Sequence, residues 1–203
     1  DRYEGADDKA VCFLCGILYT YGPVPISRQP WGEILSGIFY GFFIPFILLY
    51  INMPEGTYLT LDWNLQTVRL ELQIFPIVTV LLLSVIPVCT TANIMLANNI
   101  CDVERDVLVK RYTLPYYLGR KASLHLFAAI YYAAYMAVII MVLLKILPPL
   151  CLISLFSLIP VQRNINAFFR EQEKGRTFIT SIKNYIIIMG TDSALIFLGG
   201  LVK

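Results

Sequence analysis

Asn98-Asn99-Ile100-Cys101-Asp102-Val103-Glu104-Arg105-Asp106, continuing through Lys110-Arg111-Tyr112-Thr113-Leu114 to Gly119-Arg120-Lys121, stands between two long apolar segments. Charged groups in that position lie where a membrane helix leaves the bilayer, and carboxylates at such depth are costly enough to be kept for function. On a helix, Asn98, Asp102, Asp106 and Lys110 fall four residues apart and line one face, while Glu104 points elsewhere. Two carboxylates one turn apart can share a hard divalent cation. Mg²⁺ held by one or two carboxylates, with water and phosphate oxygens in its other positions, is a common way for proteins to hold a diphosphate. The blander alternative is a solvated loop on the basic side of a membrane, where a few Asp balance Lys and Arg. The aligned Asn98 and the bases downstream favour the first reading.

The segments on either side set the architecture. Upstream, Leu72 to Asn99 is long and apolar, interrupted by Pro76 and Pro87, and is expected to kink. Before it come a loop from Asn52 to Glu71 and a first complete span from Trp31 to Ile51. Val11 to Tyr21 is apolar but shorter than the roughly 20 residues a crossing needs, so it reads as a partial helix. Downstream, Asp102 to Lys121 reads as a central loop, Ala122 to Leu147 as a span, and Pro148-Pro149 as a tight turn. Leu150 to Val161 returns across the membrane, Gln162 to Asn184 continues it in polar form, and Tyr185 to Val202 is the last span. The expectation is an all-α, polytopic transmembrane helical bundle. It forms one domain over residues 1–203, with about five full spans plus the partial first helix.

Composition agrees. Of 203 residues, 58% are hydrophobic and 15% charged, against about 25% charged in an ordinary soluble domain. The net charge of +2 says little, because the charges are sorted by loop. Arg105, Lys110, Arg111, Arg120 and Lys121 lie in one loop, and Arg163, Arg170, Lys174, Arg176 and Lys183 in another. If each apolar segment crosses once, both loops fall on one side, which the positive-inside rule makes the cytoplasmic side of a cell membrane. The five cysteines show no disulfide framework, and Cys12-x2-Cys15 lies in an apolar run without a partner pair. No Gly-rich phosphate loop, Ser-His-Asp set or zinc motif appears, nor a basic-aromatic surface for nucleic acid.

The central motif, Asn98-Asn99-Ile100-x-Asp102-x3-Asp106 followed by x3-Lys110-Arg111-x-Thr113-Leu114-x4-Gly119-Arg120-Lys121, resembles the second Asp-rich motif of the UbiA superfamily of intramembrane prenyltransferases. The closer likeness is to the 1,4-dihydroxy-2-naphthoate prenyltransferases of menaquinone synthesis. A second stretch, Leu18-Tyr19-Thr20-Tyr21-Gly22-Pro23-Val24-Pro25-Ile26-Ser27 with Gly32-Glu33-Ile34 after it, is similar to the same subfamily. The resemblance implies Mg²⁺-dependent transfer of a polyprenyl group from its diphosphate to 1,4-dihydroxy-2-naphthoate, with loss of CO₂. It implies Asp102 and Asp106 as catalytic metal ligands, with Asn98, Lys110 and Arg111 near the diphosphate. Tyr19 and Tyr21 would offer aromatic faces to a developing carbocation. Arg28 would meet phosphate or carboxylate, and Lys183 would reach the diphosphate from the last span. The rival readings are an interfacial aromatic belt for the tyrosines and a snorkelling Lys183. Asp192, deep in the last span, reads either as a buried functional carboxylate or, with Thr191 and Ser193, as a local polar patch, whereas the lone His125 reads as a packing or interfacial residue.

The resemblance also implies a first Asp-rich motif, similar to N-[DN]-x-x-D-x-x-x-D, several tens of residues before the Tyr-Gly-Pro stretch. Here Asp1, Glu4, Asp7 and Asp8 do not fit that spacing, so the sequence is expected to lack the family's N-terminal part. Two alternatives stay open: a truncated, inactive member of the family, or a prenyltransferase for a different aromatic acceptor.

Overall fold

The computed structural model describes residues 28–64 and 66–201. Five helices in it are long and apolar enough to cross a membrane. They are α1 (Gly32–Asn52), α2 (Ile74–Leu108), α4 (Arg120–Leu143), α5 (Pro149–Arg170) and α6 (Ile179–Leu201), with a short α3 (Leu114–Leu118) between the second and third. The partial helix expected over Val11 to Tyr21 lies outside the described residues.

The largest side chains buried in the bundle are Tyr131, Phe127, Phe168, Leu96 and Met141. The Phe127 and Phe168 rings meet at 4.7 Å between centroids, joining α4 to α5. Polar bonds pin the same interior: Asn93 Nδ2 donates to the Phe127 carbonyl at 2.9 Å, and Asn164 Nδ2 to Asn184 Oδ1 at 2.7 Å. By contrast, Phe39, Tyr40, Ile47, Leu48, Met136, Phe156 and Phe197 all point outward. In water such a surface would aggregate; in a bilayer it is the lipid-facing side. The protein is a multi-pass helical membrane protein.

Glycine sets how closely α1 and α2 approach. The middle of α1, Gly37–Phe43, is wound as a π-helix, and Gly37 and Gly41 both turn toward α2. A Cβ on Gly41 would lie 2.4 Å from Val88 Cα and 2.7 Å from the Pro87 carbonyl carbon. This is the small-residue contact that brings membrane helices together without a hydrophobic driving force. Pro87 sits inside α2 without ending it. Around it, Ser84 and Thr90 hydroxyls donate to the carbonyls of Val80 and Ile86 at 2.7 and 3.0 Å.

Three segments differ from the expectation. The basic loop expected over residues 162–184 is helical at both ends, since α5 runs to Arg170 and α6 begins at Ile179. The loop expected over Asn52 to Glu71 contains an antiparallel hairpin, β1 (Leu59–Trp63) with β2 (Val68–Leu72). Its alternation of Leu, Trp and Val with Thr, Asp, Arg and Glu is the period-two signal of a strand. The central loop expected from Asp102 is instead helical to Leu108, and α4 begins at Arg120. At 1.5 Å per residue, the 35 residues of α2 reach about 52 Å, against about 30 Å of hydrocarbon. The surplus carries the charged stretch past the apolar zone while keeping it helical.

Candidate active site

Asn98 and Asp102 face the same direction on α2, and Lys174, from the turn before α6, reaches both. Its Nζ donates to Asn98 Oδ1 at 2.5 Å and pairs with the Asp102 carboxylate. The same ammonium lies 5.5 Å from the centre of the Phe178 ring, a favourable cation–aromatic distance. The Lys174 loop is fastened to the start of α4 by Arg120 Nε, which donates to Gln172 Oε1 at 2.5 Å. Thus the two basic segments that follow α2 and α5 meet at one end of the bundle.

Asp106, one turn further along α2, makes its own set of contacts. Each four-residue step on a helix of 3.6 residues per turn drifts by about 40°, and Asp106 has turned inward to 7% exposure. There its Oδ1 lies 3.6 Å from Arg111 Nη1, and its backbone carbonyl accepts from the Arg111 amide at 2.8 Å. Arg111 also reaches Asn99 Oδ1 at 3.5 Å, and Asn99 Nδ2 donates to Glu33 Oε1 at 2.8 Å. A chain Glu33–Asn99–Arg111–Asp106 therefore ties the start of α1 to the end of α2. Glu33 and Asn99 are 4% and 0% exposed. Among the described residues, one oxygen each of Glu33 (Oε2) and Asp106 (Oδ2) is buried without a hydrogen-bond partner. Unpaired carboxylate oxygens inside a protein carry a desolvation penalty that an incoming cation or donor would relieve.

The other sequence-derived candidates are placed as follows. Lys110 stands beyond the helix end at φ 56°, exposed, and so leaves the expected face. Arg28 is exposed, and its carbonyl accepts from the Tyr112 amide at 3.2 Å, which ties the entry to α1 onto the segment after α2. Lys183 is exposed on α6 and takes no part in these bonds. Tyr19 and Tyr21 lie outside the described residues. Asp192 is buried, with its Oδ1 unpartnered, and His125 meets Phe169 edge-on at 5.7 Å. The sequence reading did not single out Glu33, Asn99 or Lys174 as site residues. Glu33 had a signal, an acid at the mouth of an apolar span. Lys174 had none, since its neighbours Glu171, Gln172 and Glu173 read as a solvated turn.

The donor set suits a particular kind of ion. Among the described residues no three His, Cys, Asp or Glu side chains converge on one point. Asp102 and Asp106 offer two carboxylates one turn apart on α2, and Asp106 Oδ2 has no hydrogen-bond partner among the described residues; Mg²⁺ accepts such oxygen donors when it keeps its other ligands as water and phosphate.

Fold and site together define a helical intramembrane protein whose acidic and basic groups gather at one membrane face. Residues 10–182 match the UbiA prenyltransferase family, and the chain belongs to that family. It is similar to the 1,4-dihydroxy-2-naphthoate octaprenyltransferase of Bacillus subtilis (strain 168), at 28% identity over 169 residues, or 83% of this chain and 48% of that one. The chain spans about half the length of that relative. No solved structure matches it.

Proposed function

We propose that this chain takes part in Mg²⁺-dependent transfer of a polyprenyl group from its diphosphate to 1,4-dihydroxy-2-naphthoate. The observation that supports this best is the convergence of Lys174 on Asn98 and Asp102, with the half-buried Arg111–Asp106 pair on the same helix end. Asp102 and Asp106 are the residues that would hold Mg²⁺, which supplies positive charge against the donor diphosphate. Lys174 and Arg111 then serve as fixed cations beside the leaving group. As the allylic C–O bond breaks, its electron pair moves onto the diphosphate, and these cations stabilise the charge that builds there. Asn99 and Glu33 keep the Arg111 guanidinium oriented, so it need not reorganise during that step. Lys110, Arg28 and Lys183 are exposed cations around the same end of the bundle and are assigned to attracting the anionic substrates. Tyr19 and Tyr21 are assigned, by likeness to the subfamily, to the wall facing the allylic cation. The apolar bundle excludes water from that cation, and an electron-rich ring carbon of the acceptor captures it as the carboxyl group leaves as CO₂. The charged end faces the cytoplasm in this reading, since the basic segments flank it.

The test is direct. The chain is purified into lipid and incubated with Mg²⁺, a polyprenyl diphosphate and 1,4-dihydroxy-2-naphthoate, and product is followed by mass spectrometry beside an Asp102→Ala control. Prenylated naphthoate that vanishes in the control is the expected result. Product that survives Asp102→Ala, or no product where the Bacillus subtilis relative is active in the same assay, overturns the proposal.

A further inference from the structure

The end of the bundle opposite the charged site carries an unpartnered sheet face. β1 and β2 join the far ends of α1 and α2, and their register pairs Leu59 with Leu72, Leu61 with Leu70 and Trp63 with Val68. Side chains alternate across a strand, so these six share one face, while Thr60, Asp62, Arg69 and Glu71 share the other. All six apolar residues are exposed, from 37% for Leu59 to 80% for Trp63. A two-stranded hairpin with a bare apolar face is marginal in water and needs something to pack against. Yet this one is firmly seated at its base. The Gln73 amide donates to the Tyr58 carbonyl at 2.9 Å, and the buried Tyr58 ring packs against Phe46 and Tyr50 of α1 at 6.1 and 6.2 Å.

We infer that this face lies on the bilayer, as an amphipathic hairpin embedded in the lipid interface on the side opposite the charged site. Three observations select lipid as the occupant. Both flanking elements are membrane-spanning, so the hairpin starts and ends at the bilayer surface. A five-residue strand reaches only about 17 Å, so the hairpin either stands up in water with its apolar face bare or lies down and buries it. The face is also continuous with the lipid-exposed belt, because Ile74 and Phe75, directly after β2, are each 75% exposed. The polar face, where Arg69 pairs with Glu71 at 3.0 Å, then meets water. Trp63 comes to lie at headgroup depth, where its amphipathic ring is favoured.

The chain has two tryptophans, Trp31 and Trp63, so Trp31→Phe leaves Trp63 as the sole reporter. The full chain carrying that change is reconstituted in phosphatidylcholine–phosphatidylglycerol vesicles with nitroxide at a shallow or a deep acyl position. A parallel set has iodide on both sides of the membrane. The expected result is strong quenching by the shallow nitroxide, severalfold weaker quenching by the deep one, and shielding from iodide. Adding Leu61→Asp and Leu70→Asp should release the hairpin, raising iodide quenching severalfold and abolishing nitroxide quenching. Free access of iodide to Trp63 in the Trp31→Phe chain overturns the inference, since the face would then stand in water. Protection from both quenchers also overturns it, since a second copy or another stretch of polypeptide would then cover the face.

Discussion

Gly41→Ala tests whether the α1–α2 contact is as tight as the backbone positions require. The added methyl would lie 2.4 Å from Val88 Cα and 2.5 Å from Val88 N, where comfortable carbon contacts lie at about 3.5–4.0 Å. Those atoms are backbone, so no rotamer change relieves the clash, and α1 must retreat from α2 by roughly 1 Å to restore such a contact. Overpacking of this kind costs about 1–3 kcal/mol, while replacing a helical glycine by alanine returns up to about 1 kcal/mol. With the full return, a net loss of about 0–2 kcal/mol is expected, which leaves this variant about 1–3 kcal/mol below a control that keeps only the gain. Gly190→Ala is the matched control, since a Cβ there meets nothing within 4 Å. It keeps the propensity gain alone and should be neutral to stabilising by up to about 1 kcal/mol. Equilibrium unfolding of both variants in mixed lipid–detergent micelles, followed by circular dichroism, reads the difference. Equal stability of the two variants would refute the close-approach argument. Because Glu33 lies in the first turn of α1, the same retreat should pull it from Asn99 and, on the proposed function, lower prenyl transfer in Gly41→Ala alone.

Two further outcomes are expected. Glu33→Ala strands the fully buried Asn99 amide and should lower unfolding stability by about 1–3 kcal/mol, whereas Glu33→Gln keeps an acceptor oxygen and most of that stability; unfolding midpoints of the pair separate the two effects. Lys174→Ala removes a cation from Asn98 and Asp102 and, on the proposed function, should raise the KM for polyprenyl diphosphate by about 10-fold or more, the scale of a charge-assisted hydrogen bond. Lys174→Arg should recover part of it, and steady-state kinetics with varied donor checks both.

Much of the fold was legible because a membrane imposes length and polarity at once. The apolar runs around Trp31 to Ile51, Leu72 to Asn99, Ala122 to Leu147, Leu150 to Val161 and Tyr185 to Val202 each correspond to one long helix. Boundaries were less legible where charge and helix coincide. Asp102 to Leu108 is polar and so reads as loop, yet hydrogen bonds within the helix do not depend on polarity, and α2 runs on to Leu108. The hairpin was legible in its alternation but hidden by its position in a short polar connection.

By itself, the sequence determined a helical membrane protein with two carboxylates one turn apart at a membrane exit, and it carried the motif of the family to which the chain belongs. Local spacing and hydropathy suffice for that, because both act within one segment. Only the tertiary structure decided which charges meet. Lys174 comes from 72 residues beyond Asp102, and Glu33 lies 66 residues before the Asn99 it accepts from. Those partners are chosen by how α1 and α6 pack against α2, and helix packing depends on side-chain shape across the whole bundle rather than on any one stretch.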